Sequence, residues 1–106
     1  MNNRKTDAWL ECTGIKPVVI QEIRQLARKY GVNRVILFGS RARGDYKRVS
    51  DIDLAVSGND VIRFALDVEE QTSTLLMFDI VDLNGPVQEE LLASIASEGR
   101  ILYEKI

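Results

Sequence analysis

The chain has 106 residues, 45% hydrophobic and 28% charged, with a net charge of −2, no histidine and a single cysteine, Cys12. That length fits one compact domain, and the charge argues against wrapping nucleic acid, which takes a strongly basic face. Without histidine there is no His general base and no Ser-His-Asp triad, and one thiol makes neither an intrachain disulfide nor a thiolate zinc cluster.

Residues 1–14 are polar and irregular apart from Trp9 and Leu10, and read as a flexible N-terminal arm ahead of a domain over 15–106. Met1 to Lys5 lack the hydrophobic segment of a secretory signal. No apolar run approaches the ~20 residues that a membrane span needs, so the expected compartment is the cytoplasm. A helix is predicted from Pro17, with Val19, Ile20, Ile23, Leu26 and Ala27 at helical spacing and Gly31 as its stop. Val32 to Phe38 is β-branched and aromatic and ends at Gly39, the pattern of a buried strand. Ser40 to Ser50 reads as a short helix or turn and then a loop holding Arg41, Arg43, Lys47 and Arg48.

Asp51 to Val56 alternates strictly, with Ile52, Leu54 and Val56 on one face and Asp51, Asp53 and Ala55 on the other. That is a strand with one buried face. A second helix is predicted over 60–73, a third strand over Leu76 to Leu83, a third helix over Val87 to Ser97, and a short last strand over Ile101 to Tyr103. The apolar residues of Ser73 to Met77 and of Val87 to Ser97 read as helical faces that join the core. The sum is an α/β (α+β) domain with one small mixed sheet and helices packed on one face.

The chemistry resides in a combination. Gly39-Ser40, at a strand end running into a helix, presents backbone N–H groups and a hydroxyl, which favour anions. Eleven residues after Ser40, Asp51 and Asp53 project two carboxylates from one strand face, roughly 6–7 Å apart. Two such charges are costly side by side without a cation, and any metal here must be held by oxygen, which favours Mg²⁺, Mn²⁺ or Ca²⁺. A third carboxylate is expected, and Asp79 and Asp82 compete for the role. If Leu76, Phe78 and Ile80 share a core layer with Ile52, Leu54 and Val56, Asp79 faces the pair; a bulge would reverse that parity. Arg41 and Arg43 are candidates for phosphate binding or for covering the sheet, whereas Lys47 and Arg48 read as a solvated loop.

Gly39-Ser40-Arg41-Ala42-Arg43-Gly44, followed by Ser50-Asp51-Ile52-Asp53-Leu54-Ala55-Val56, resembles the signature of the DNA polymerase beta-type nucleotidyltransferases. Within that superfamily the chain resembles the minimal nucleotidyltransferase group, and the likeness covers roughly residues 15–104. The resemblance implies that Gly39 and Ser40 contact a triphosphate, and that Asp51 and Asp53 hold metal. It further implies that Asp79 assists deprotonation of the attacking hydroxyl and shares the second of two Mg²⁺ ions. It also implies ATP as the nucleotide and a HEPN-type helical protein as partner, adenylylated on a hydroxyl as in a toxin–antitoxin pair. Two other readings compete: neutralisation of the partner by complex formation alone, and transfer to a small hydroxylated molecule.

Overall fold

A computed structural model describes residues 7–106. Residues 1–6, the first part of the expected arm, lie outside the described residues. From Ala8 to Cys12 the chain forms a 3-10 helix, and Trp9 and Leu10 pack against the hydrophobic core. Thr13 follows, buried, its hydroxyl donating to the Leu10 carbonyl at 2.8 Å. The described part of that stretch is thus fitted to the domain, because two large apolar side chains gain by leaving water.

Pro17 occupies the first turn of α1 (Pro17–Lys29), where a missing N–H costs no intrahelical bond. Val19, Ile20, Ile23, Leu26 and Ala27 are all buried, one continuous apolar stripe. The chain then passes through β1 (Val32–Phe38), a single turn α2 (Ser40–Arg43), β2 (Ile52–Gly58), α3 (Val61–Gln71), β3 (Phe78–Asp82), α4 (Glu89–Glu98) and β4 (Arg100–Glu104). Asp60 caps α3, its carboxylate accepting from the Arg63 N–H at 3.3 Å.

Four strands form one sheet in the order β3-β2-β1-β4. β1 runs antiparallel to β2 and to β4, while β2 and β3 are parallel and joined through α3. The sheet is mixed, as expected. Val32 and Val35 lie three residues apart and yet share one core, because the β1–β2 register shifts between Val32 and Arg34.

The helices divide between two faces, not one. The main core unites α1 and α3 with Val35, Leu37, Ile52, Leu54 and Val56. On the opposite face Ile95 of α4 packs with Phe38 and Ala55, joined by the partly buried Ile36, Val81, Leu83 and Leu91. The cause is in β1, which is apolar on both sides: Val35 and Leu37 point one way, Ile36 and Phe38 the other. A strand of that kind needs cover on each face. The segment from Ser73 to Met77 also departs from expectation. It is extended loop, pinned by hydrogen bonds from the Ser73 N–H and hydroxyl to Glu22, each 2.7 Å. Leu75 and Met77 there are exposed instead of core.

The two sides of α3 are expected to differ sharply in stability. Phe64 is fully buried, while Ile62 is 73% exposed. Urea unfolding should show Phe64→Ala costing about 3–5 kcal/mol and Ile62→Ala under about 0.5 kcal/mol.

Candidate active site

Three chain segments meet at one end of the sheet. β1 finishes at Phe38, which pairs with Asp53 of β2, and Asp53 in turn pairs with Asp79 of β3. Between β1 and α2 the chain bends at Gly39, with φ +76°. The Gly39 carbonyl accepts from the Ala42 and Arg43 N–H groups at 3.1 and 3.0 Å, closing the single turn. The N–H groups of Ser40 and Arg41 precede any carbonyl one turn back. Glycine is required at the bend for two reasons. Its φ lies in the left-handed region, and a Cβ there would overlap the Asp53 carboxylate.

Asp53 is held by what lies behind it. Ile52, Leu54 and Val56 are completely buried against α1 and α3, so β2 cannot rotate to release Asp53 from the other face. Asp79 stands in register with Asp53, and Phe78 and Ile80 pair with Ile52 and Leu54 in the core layer. Asp82 pairs with Val56 at the far end of β3, where its carboxylate accepts from the Asn84 N–H at 2.8 Å and closes a turn. Of the two competing aspartates, the register thus brings Asp79 to the pair and leaves Asp82 away from it.

The electrostatic result is concentrated on Asp53. Half-burial first, then the charges of Asp79 and Asp51, push its carboxyl from 3.8 up to about 6, against the opposing pull of Arg43 and Arg41. Among the described residues no three acidic, histidine or cysteine groups are closed up around a common ion position. Asp51 and Asp79 are exposed and mutually repelling, whereas Asp53 is fixed. The donor set is all oxygen, matched to a hard divalent cation, and the missing Cβ at Gly39 leaves room for Asp53 beside the bend. These residues fit Mg²⁺ with phosphate.

The two arginines differ. Arg43 is exposed and ion-paired with Asp45 at 3.1 Å and Glu98 at 3.0 Å. Arg41, expected as a phosphate ligand, is only 1% exposed. Its guanidinium donates to the carbonyls of Ser50 (2.9 Å), Thr13 (2.9 Å) and Arg48 (3.3 Å) and lies over the Tyr46 ring. With those donors engaged Arg41 is a brace and not the phosphate ligand that the motif suggests. Sequence reasoning passed over Thr13 and Tyr46; an aromatic in a basic loop was the available signal for the second, and nothing marked the first. Lys47 and Arg48 are exposed, as a solvated loop requires.

The carboxylates stand on an open shelf. A groove elsewhere, between the 3-10 helix and α1, is lined by Leu10, Ile15, Val18 and Arg24 among others. A sheet end with three adjacent carboxylates beside a glycine bend suits a divalent cation and phosphate. Comparison with known proteins agrees. Residues 21–106 match the family described as Polymerase beta, Nucleotidyltransferase, and the chain belongs to that family. It is a nucleotidyltransferase. The chain is 34% identical over 93 residues to a candidate protein adenylyltransferase of Methanocaldococcus jannaschii, covering 76% of this chain and 90% of that one. A candidate minimal nucleotidyltransferase of known structure is 29% identical with a TM-score of 0.61, over 76% of this chain and 86% of that one. A chain of a toxin–antitoxin crystal structure with AMP-PNP shares the fold, with a TM-score of 0.66 at 24% identity, over 81% of this chain and 73% of that one.

The raised Asp53 value carries a signed consequence. A folded carboxyl that titrates near 6 against 3.8 unfolded favours the protonated form, so the metal-free fold loses stability as pH rises between those values. Asp53→Asn should therefore be more stable than the parent at pH 7.5, by about 1 kcal/mol once solvent screening is discounted. Thermal melts in chelator should show that gap closing by pH 4.

Proposed function

We propose that this nucleotidyltransferase is Mg²⁺-dependent and moves AMP from ATP onto a hydroxyl of a HEPN-type partner protein, as the antitoxin of a toxin–antitoxin pair. The observation that carries the reading is the register of Asp53 with Asp79 beside the Gly39 bend. Bound divalent ions supply neutralising charge for the triphosphate and lower the pKa of the attacking hydroxyl. Gly39 and Ser40 hold phosphate oxygens through N–H groups and the Ser40 hydroxyl. Asp51 and Asp53 are the metal ligands, and Asp79 contributes a third carboxylate and takes the proton from the acceptor hydroxyl. The acceptor oxygen then bonds to the α-phosphorus while the bond to the pyrophosphate oxygen breaks. Arg43 is free to exchange an exposed ion pair for a phosphate oxygen, since such pairs are worth little in water.

A protein acceptor suits the open shelf better than a small molecule does. Small ligands are held in concave pockets that bury most of their surface. Here the loops that flank the aspartates instead display Val49, Leu75 and Met77, each more than two-thirds exposed. The relatives support the same direction, one being named for protein adenylylation and another forming part of a toxin–antitoxin complex. No helix of the described residues is long and apolar enough to cross a membrane. The cytoplasm, which keeps the exposed thiol of Cys12 reduced, is the compartment we assign.

Incubation with α-labelled ATP, Mg²⁺ and a HEPN-type partner protein should put label on that protein. Asp51→Asn combined with Asp53→Asn should lower the rate about a thousandfold, the several kcal/mol of charge stabilisation that metal supplies. Undiminished transfer by the double variant overturns the reading. Loss of transfer with toxin neutralisation intact would favour complex formation as the biological role.

A further inference from the structure

We propose that Arg41 is a positioning residue that bolts the metal-binding end of β2 to the phosphate-binding bend, using the N-terminal turn at Thr13–Gly14 as its anchor. The inference rests on the assignment of Asp51 and Asp53 as metal ligands. Arg41 lies one residue after Ser40, and its Nε donates to the carbonyl of Ser50, one residue before Asp51. One side chain therefore sets the span between the two halves of the site.

Asp51 needs that support. The β2 ladder begins at Ile52, whose N–H donates to the Met77 carbonyl at 2.9 Å, so Asp51 stands outside the sheet. Before it runs a loop whose Asp45, Lys47, Arg48 and Val49 are exposed. Its own closing bonds are local: the Ser50 N–H donates to the Lys47 carbonyl at 2.9 Å, and the Lys47 N–H donates to the Ser50 hydroxyl at 2.8 Å. The start of this loop is tied to α2 by the Arg43–Asp45 ion pair and by the Asp45 N–H donating to the Ser40 carbonyl at 3.1 Å. Its end next to Asp51 is tied by the Arg41 guanidinium, hydrogen-bonded to Arg48 and Ser50 and stacked 4.7 Å from the Tyr46 ring centroid. A guanidinium presents five donors in a fixed plane, so it satisfies three separated carbonyls at once. Lysine, with a single nitrogen, cannot span them.

The third carbonyl reveals the anchor. Arg41 Nη1 donates to Thr13, whose side chain is buried and bonded both to Leu10 and to the Ile15 N–H. Gly14 follows with φ +69°, and a Cβ there would overlap the Tyr46 ring. The Thr13–Gly14 turn thus forms one wall of the slot in which Arg41 and Tyr46 stack. Both residues precede the family-matched region, which starts at residue 21. The brace therefore draws on a segment ahead of that region to steady the carboxylate end of β2.

The test compares Arg41→Lys, Arg41→Met and Gly14→Ala with Val68→Ala, a core change on α3 that touches none of the Arg41 hydrogen bonds, as a control for general destabilisation. In the metal-free protein, hydrogen exchange at the amides of Ser50, Asp51 and Ile52 should accelerate selectively in the Arg41 and Gly14 variants. Mn²⁺ titration in the presence of a non-hydrolysable ATP analogue should show affinity falling about tenfold in Arg41→Lys, the scale of a lost supporting contact around metal ligands. Excess Mn²⁺ should restore most of kcat in that variant, with little change in the KM for ATP. Val68→Ala should leave exchange at these amides and Mn²⁺ affinity at parental values. Parental exchange and Mn²⁺ affinity in folded Arg41→Lys overturn the proposal. If Arg41→Met does not fold, Arg41→Lys and Gly14→Ala decide it. A parent protein that binds no Mn²⁺ and transfers no nucleotide defeats the functional reading instead, and the exchange data still judge the brace.

Discussion

Repulsion between carboxylates that the fold will not allow to separate is the constraint on which this structure turns. Asp53 is held in place because Ile52 and Leu54, its neighbours along the strand, are wholly buried on the opposite face. The parallel register then delivers Asp79 beside it, and half-burial removes much of the water that would screen the pair. In an isolated strand the two acids would turn apart. Here that escape would drag a core strand out of register, moving its whole apolar set toward solvent. The cheaper relief is a proton or a divalent cation.

The rest of the architecture serves that arrangement. α1 and α3 lie on the far face and supply the burial that anchors β2, while α4 covers only part of the near face and leaves the aspartates open. The parallel β2–β3 connection through α3 is what brings a second acidic strand alongside the first in matching sense. An antiparallel hairpin from β2 would return the chain from the opposite end of the sheet. The carboxylates of two neighbouring strands are thereby gathered at one end of the sheet.

Much of this could be read from the residues because it depends on short-range periodicity. The strict alternation from Asp51 to Val56 points to a strand, which is found over Ile52–Gly58 with Asp51 just ahead of it, and parity in the absence of a bulge favours Asp79 over Asp82. The features that escaped were decided by contacts remote in sequence. Arg41 sits in a basic motif and so resembles a phosphate ligand, but its surroundings are set by Thr13, 28 positions away, and by a loop folding back onto it. The placement of α4 follows from β1 being apolar on both sides, visible in the run Val35 to Phe38, but which helix covers which face is decided by contacts far along the chain. Ser73 to Met77 carries three consecutive apolar residues that read as core, yet Glu22 of α1 captures Ser73 and the segment runs as a loop that leaves Leu75 and Met77 exposed.

The order β3-β2-β1-β4 leaves β3 at a margin of the sheet, with a row of backbone groups that another chain could pair with. Proteins guard such margins with charge, and on this strand the guards are Asp79 and Asp82, both exposed. The acid assigned to chemistry therefore doubles as a deterrent to unwanted sheet extension. Neutralising it trades colloidal behaviour as well as turnover, and preparations lacking that charge are best judged for self-association before their inactivity is attributed to the reaction.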